Sequence, residues 1–121
     1  MTTAIIGAGV MGETLLSGLL RAGVPASELL IADRRIERSA EVTEKHGVVN
    51  GTNQEVSAKA DTVVLVVKPQ DMAGVLEEIK ADIRTGCLII SFVAGKQIRY
   101  IADLIGTSAN PVIRVMPNTP T

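Results

Sequence analysis

The sequence predicts an α/β protein, a doubly wound parallel sheet formed as a single domain by residues 1–121. Short apolar runs alternate with helical patterns along the chain, and this alternation is typical of parallel strands joined by right-handed crossovers. The run at 62–67 is β-branched nearly throughout and shows no polar alternation, as expected for a strand covered on both faces. A glycine-rich turn at 7–12 follows the first apolar run directly.

The predicted elements follow one another without an internal repeat or an interdomain linker. Strands are predicted at residues 3–6, 28–33, 47–49, 62–67, 87–92 and 111–116, and helices at 10–22, 34–45, 53–60, 71–83 and 97–105. Gly23 is a suitable stop for the first helix, and Asp71 is a suitable N-cap for the fourth.

Composition excludes several classes of protein. The net charge of −1 gives no electrostatic reason to expect nucleic acid or a membrane surface as a partner. Phe92 and Tyr100 are the only aromatic residues, so platforms for base stacking are nearly absent. Cys87 is the only cysteine and cannot form an internal disulfide, which favours a cytoplasmic location. Because Cys87 begins a predicted buried strand, we expect it to be a small core residue. We expect no signal peptide and no transmembrane helix.

The glycine turn predicts a binding site for a dinucleotide on a Rossmann-type sheet. Gly7 can take the tight turn, Gly9 lets a pyrophosphate approach the backbone, and Gly12 lets the helix lie close to the strand. The N–H groups at the start of that helix favour phosphate charge. Asp33 follows Gly12 at the spacing of the motif's acidic residue; the alternative is a purely structural turn. The turn consists of Gly7-Ala8-Gly9-Val10-Met11-Gly12.

Ligands of an open parallel sheet lie beyond the carboxyl ends of its strands, near the topological switch point. The segments that follow the predicted strands are therefore the candidate site. They are residues 7–12, 33–35, 68–70, 93–95 and 116–119.

The residues after the second strand give conflicting signals about the cofactor. Asp33 suits the ribose hydroxyls of NAD. Arg34 and Arg35 suit the 2′-phosphate of NADP, provided that Asp33 points away or pairs with an arginine. We predict NADP(H), with NAD(H) also accepted, against the alternative of a solvated charge cluster.

Other candidates have simpler structural alternatives. Pro69 ends the strongest strand and would present the backbone of Val67 and Lys68 to the cleft, and nothing nearby in sequence supports a catalytic role for Lys68. Asn53 opens a short helix, either as its cap or as a ligand contact. With His46 as the only histidine, we predict no metal site, and no catalytic residue is assigned.

The sequence resembles the pyrroline-5-carboxylate reductases, which make proline, over essentially its whole length. The glycine turn is common to many dehydrogenases, whereas the Lys-Pro-Gln turn together with Met-Pro-Asn-Thr-Pro is much more specific. The matching pieces are Ile6 to Gly12, Asn53, residues 60–61 and 66–70, residues 91–95, and Arg114-Val115-Met116-Pro117-Asn118-Thr119-Pro120.

The resemblance implies hydride transfer from NAD(P)H to the ring imine of pyrroline-5-carboxylate, a small-molecule substrate. It places Ile6, Gly7, Ala8, Gly9, Val10 and Met11 at the pyrophosphate, Arg34 and Arg35 at the adenosine, and Asn53 at its ribose. It also assigns the nicotinamide side, where cofactor meets substrate. That side would be formed by Val66, Val67, Lys68, Pro69, Val93, Ala94, Gly95, Met116 and Asn118.

Members of this family continue into an all-helical C-terminal domain that forms the dimer and most of the substrate pocket. We therefore expect this chain to be the cofactor domain of a homo-oligomeric enzyme, lacking the helical domain and largely inactive alone. Two alternatives remain open. One is the cofactor domain of another imine or β-hydroxyacid reductase, and the other is a non-catalytic dinucleotide-sensing module.

Overall fold

The computed structural model describes residues 1–84, 86–92 and 112–114. Its strands are β1 (Thr3–Ile6), β2 (Leu29–Ala32), β3 (Val49–Asn50), β4 (Thr62–Leu65), β5 (Leu88–Ser91) and β6 (Val112–Arg114). They form one sheet in the order β3-β2-β1-β4-β5-β6, and neighbouring strands pair in parallel. This is the strand order of the Rossmann fold, and it confirms the predicted fold class.

Four helices connect the described strands. They are α1 (Val10–Arg21), α2 (Ile36–His46), α3 (Asn53–Lys59) and α4 (Met72–Ile79), with 3₁₀ turns at Ala26–Glu28 and Pro69–Asp71. The helix predicted at 97–105 lies outside the described residues. Among the helices of the described part, none has the length and apolarity needed to cross a membrane.

Helices cover both faces of the sheet, as the apolar strands require. Successive residues of β1 point to opposite sides, because side chains alternate along a strand. Ile6 packs with Leu76 of α4 in one buried cluster, whereas Ile5 packs with Leu16 of α1 and Val42 of α2 in the other. The position of β1 is therefore fixed from both sides.

The register aligns the carboxyl ends of the three central strands. Ile6 of β1 pairs with Ala32 of β2 on one side and with Leu65 of β4 on the other. The strand order reverses between β1 and β4, so the topological switch point lies at this edge, where the sequence places its candidate site.

Several predicted ends were wrong by a few residues. The strand predicted at 62–67 ends at Leu65, because its partners in β1 and β5 end at Ile6 and Ser91. The helix predicted to reach residue 83 ends at Ile79, where the amide of Asp82 already bonds three residues back instead of four. Cys87 is buried, as predicted, and burial raises the pKa of its thiol.

Candidate functional site

A cleft of about 430 Å³ lies at the carboxyl ends of β1, β2 and β4. Many of the predicted site residues meet there. They are Ile6, Gly7, Gly9, Asp33, Arg34, Arg35, Asn53, Val66, Val67 and Lys68. The opposite wall belongs to the start of α4 and the turn before it, of which the sequence assigned only Gln70 to the candidate site. It consists of Gln70, Asp71, Gly74, Val75 and Glu78.

Two glycines of the turn are required by backbone packing. Gly7 has a φ of +111°, and a Cβ there would overlap the carbonyl oxygen of Val66. A Cβ on Gly12 would overlap the carbonyl oxygen of Gly7. Only glycine fits at either position, which agrees with the tight turn and close helix approach that the motif predicts.

Gly9 is different because its missing side chain leaves open space. It is the N-cap of α1, and a Cβ added there would meet no described atom within 4 Å. None of the side chains described caps this helix, whose first-turn N–H groups lack intrahelical acceptors. The site therefore presents bare backbone donors at the positive end of a helix dipole.

The other residues predicted at the pyrophosphate do not line the cleft as the described residues define it. Ala8 is fully buried in the core beside β1. Val10 and Met11 lie on the outer side of the first turn of α1, with Val10 83% exposed. The packing of Gly12 against Gly7 places it behind the turn. The side chains of these residues therefore do not face the cleft, and the predicted contact of their backbone with a pyrophosphate stays a prediction.

The carboxylate of Asp33 is already occupied. It accepts hydrogen bonds from the amides of Ala8 (2.7 Å) and Arg35 (2.8 Å), and from Nε and Nη2 of the Arg35 guanidinium (3.0 and 3.1 Å). Burial would raise the pKa of Asp33, but the hydrogen bonds from Arg35 and Ala8 outweigh it and hold the pKa below its ordinary value. Asp33 thus pairs with an arginine instead of offering a free carboxylate to a ribose.

Arg34 reaches across the cleft. Its side chain is 76% exposed, and its Nη1 lies 3.2 Å from Oδ1 of Asp71. Asp71 occupies the N-cap position of α4, as predicted, but its side chain makes no capping hydrogen bond within the described part of the chain. Its backbone is helical, with φ −97° and ψ −11°, whereas an N-cap residue is typically extended.

Asn53 also reaches α4. The cap of α3 is Thr52, which forms a capping box with Glu55, so Asn53 is the first helical residue and the cap interpretation was wrong. The side-chain amide of Asn53 donates to Oε2 of Glu78 at 3.2 Å. Asn53 therefore lies in the cleft wall with its side chain directed at the opposite wall.

The remaining candidates follow β4. Val66, Val67 and Lys68 line the cleft, and the amide of Val66 donates to the carbonyl of Ile6 at 2.9 Å. Pro69 begins a 3₁₀ turn, in which the amide of Asp71 bonds to the carbonyl of Lys68 at 2.9 Å. Val93, Ala94, Gly95, Met116 and Asn118 lie outside the described residues.

A charged cluster formed by α1 and α2 contacts the glycine turn on the side away from the cleft. Nε of Arg38 donates to the carbonyl of Ala8 at 2.5 Å, and Nη2 of Arg38 lies 2.7 Å from Oε1 of Glu13. Hydrogen bonds from His46, Arg38 and Lys45 lower the pKa of Glu13 to about 2. The sequence reasoning missed this cluster, because it joins residues from two helices. No group of three metal-ligating side chains occurs within residues 1–84, 86–92 and 112–114.

The missed wall of α4 does carry a periodic signal. Its cleft-facing positions are spaced by three and four residues, which places them on one helical face. These positions are Asp71, Gly74, Val75 and Glu78. The spacing alone could not show which ligand or loop that face meets.

Comparison with known proteins agrees with this geometry. A family model described as NADP oxidoreductase, coenzyme F420-dependent, matches residues 2–95. The chain belongs to this family. It is 36% identical to the pyrroline-5-carboxylate reductase of Corynebacterium melassecola, over 98% of this chain and 45% of that protein. It is 38% identical to that of Pseudomonas aeruginosa, over 97% and 43%.

Solved structures of proteins named as pyrroline-5-carboxylate reductases have the same fold as this chain. The pyrroline-5-carboxylate reductase of Coxiella burnetii superposes with a TM-score of 0.91 at 32% identity, over 98% of this chain and 44% of that one. The Plasmodium falciparum pyrroline carboxylate reductase, solved with NADP bound, gives 0.82 at 27%, over 99% and 43%. The predicted resemblance is confirmed, and the chain spans less than half the length of these relatives.

Proposed function

We propose that this chain is the NADP(H)-binding domain of a reductase that converts pyrroline-5-carboxylate to L-proline. The observation that carries the proposal is the open backbone at Gly9, at the start of α1 and at the switch point of the sheet. The similarity to proteins named pyrroline-5-carboxylate reductase, one of them solved with NADP, supports the reaction and the cofactor.

The pyrophosphate would lie against the backbone of residues 6–11. The first-turn N–H groups of α1 would donate to its oxygens, and the helix dipole would favour its charge. Gly9 is central to this arrangement, because any side chain there would occupy the space that the phosphates need.

The adenosine end would lie between Arg34 and Asn53 on one wall and α4 on the other. Because Arg35 neutralises Asp33, the carboxylate would not repel a 2′-phosphate strongly. Arg34, whose side chain is mostly exposed, would supply the guanidinium for that phosphate. This arrangement favours NADP(H) and still leaves room for NAD(H).

The nicotinamide would lie beyond β4, along Val66 to Pro69, with residues 93–95, Met116 and Asn118 completing that side. The bound cofactor would supply the hydride, and the residues of this chain would hold and orient it. We assign no proton donor to this chain.

Replacing Gly9 by alanine is expected to raise the Kd for NADPH by about tenfold or more, because the methyl group enters the phosphate site. The fold should survive, since the backbone of Gly9 (φ −73°, ψ −169°) is allowed for alanine and no described atom is near the added Cβ. Isothermal titration calorimetry with NADPH measures the loss, and a thermal melt verifies folding.

Gly18→Ala is the matched control. Gly18 lies in the middle of α1, and a Cβ there also meets no described atom within 4 Å. This variant should bind NADPH like the wild type. Equal affinity of wild type and Gly9→Ala would contradict the proposed site, as would a wild type that binds neither NADPH nor NADH.

Turnover separates an enzyme domain from a sensing module. With pyrroline-5-carboxylate and NADPH, the chain alone should bind cofactor without oxidising it, because positioning the imine needs groups beyond the cofactor cleft. Fusion to the C-terminal part of the Pseudomonas aeruginosa relative should restore NADPH oxidation. A fusion that binds NADPH yet shows no oxidation would favour the sensing module.

A further inference from the structure

We propose that Asp71 is a specificity-determining residue, which holds Arg34 across the cleft and thereby sets the balance between NADPH and NADH. This inference rests on the proposed function, because it concerns the adenosine end of the same cleft. Its basis is the contact between Arg34 and Asp71, which joins two walls that are 37 residues apart in sequence.

The two neighbouring arginines differ in how firmly they are held. Arg35 binds Asp33 through Nε and Nη2, and the side chain of Asp33 is only 7% exposed. Withdrawing Arg35 would leave a largely buried carboxylate without its counter-ion, which is unfavourable. Arg34 instead makes one described ion pair, at 3.2 Å, from a side chain that is 76% exposed. Arg34 is therefore the guanidinium that can change partner.

Such an exchange is energetically easy. An exposed ion pair contributes little net stabilisation, so releasing Arg34 from Asp71 costs little. A phosphate dianion offers the guanidinium charge-assisted, bidentate hydrogen bonds in return. When NADPH binds, Arg34 would leave Asp71 for the 2′-phosphate.

A second contact crosses the cleft near the first. Asn53 donates to Glu78, which lies on the same face of α4 as Asp71 and two turns further along. Arg34, Asn53 and Glu78 also line an adjoining cleft of about 420 Å³. The two contacts therefore stand between two cavities at the place proposed for the adenosine.

The two cofactors respond differently to Asp71. NADPH must draw Arg34 away, and it then leaves the Asp71 carboxylate unpaired near a dianion, so Asp71 opposes its binding. NADH carries a neutral hydroxyl at that position, and the pair between Arg34 and Asp71 can persist. Asp71 thus reduces the preference for NADPH without affecting NADH to the same degree.

The test is a double-mutant cycle on Asp71→Asn and Arg34→Ala, with NADPH and NADH titrated by calorimetry. Asp71→Asn should lower the Kd for NADPH by about three- to tenfold and leave that for NADH within about twofold. In the Arg34→Ala background the fall in the Kd for NADPH should largely disappear. The Kd for adenosine 2′,5′-bisphosphate, which has no nicotinamide, should change in the same way as that for NADPH.

Glu77→Gln is the matched control, because it removes the same charge from the same helix. Glu77 pairs with Lys80 at 2.9 Å and does not line the cleft in the described part of the molecule. This variant should leave both Kd values unchanged. If it lowered the Kd for NADPH as much as Asp71→Asn does, the inference would be overturned, because the loss of any negative charge would then explain the effect.

Two further results would overturn it. One is an equal change in the Kd values for NADPH and NADH when Asp71 is replaced by asparagine. The other is an equally large fall in the Kd for NADPH when Asp71→Asn is made in the Arg34→Ala background, which would indicate only direct repulsion between Asp71 and the 2′-phosphate. In both cases wild-type binding of NADPH would leave the proposed function intact. A wild type that binds neither dinucleotide would refute the proposed function, and this inference with it.

Discussion

Replacing Gly7 by alanine should remove about 4 kcal/mol or more of the free energy of unfolding, a large share of what a domain of this size has. Two effects add. The φ of +111° is unfavourable for a residue with a Cβ, and that Cβ would overlap the carbonyl oxygen of Val66 at the end of the central strands. Chemical denaturation followed by circular dichroism measures the loss.

Two other glycines separate these effects. Gly23 has a φ of +101°, but no described atom lies near a Cβ added there, so Gly23→Ala should lower the free energy of unfolding by only about 1–2 kcal/mol. Gly18 lies within α1, and Gly18→Ala should raise the free energy of unfolding by up to about 1 kcal/mol. If Gly7→Ala were no worse than Gly23→Ala, the close approach between Gly7 and Val66 would be disproved.

Asp33→Asn should destabilise the domain by about 2–3 kcal/mol, because an amide cannot accept all four of the hydrogen bonds that the carboxylate accepts. The N–H group of Ala8 is affected most, because Ala8 is fully buried and its N–H cannot form a hydrogen bond to water instead. Arg35→Ala is the comparison. It removes a 58% exposed partner and leaves the backbone bonds to Asp33, so its effect should be smaller.

The same pair predicts how stability depends on pH. The folded-state pKa of Asp33 lies below its ordinary value of 3.8, so its contribution is complete above about pH 4 and is lost as pH falls through the folded pKa. Glu13, with a pKa of about 2, loses its contribution over a similar acidic range. Unfolding curves from pH 5 to about pH 2 should therefore show a weaker acid dependence in Asp33→Asn than in wild type. An identical acid dependence would contradict the strong pairing of Asp33.

The parts of this molecule that were predicted from sequence depend on local chemistry. Gly7 and Gly12 are demanded by the shape of a strand-to-helix turn, and that shape is encoded within six residues. The strand at 62–67 was recognised because only a doubly covered strand tolerates such an apolar run. Its last two residues were assigned wrongly, because a strand ends where its neighbours end, and those neighbours lie elsewhere in the chain.

The parts that were missed depend on pairing over long distances. Asp71 has the residue type and position of a helix cap, and only the fold shows that Arg34 takes its side chain. Asn53 likewise had the features of a cap, yet Thr52 fills that role and Glu78 binds the amide. Polar side chains have several local options, and tertiary structure decides among them.

The backbone of Ala8 is held on both sides by side chains from beyond the turn. Asp33 accepts from its N–H, and Arg38 donates to its carbonyl. The loop proposed to bind phosphate is thus pre-organised: its conformational entropy is lost when the chain folds, so a ligand arriving later meets donors already in place. Association should then involve little rearrangement of this loop and retain most of its interaction energy as affinity.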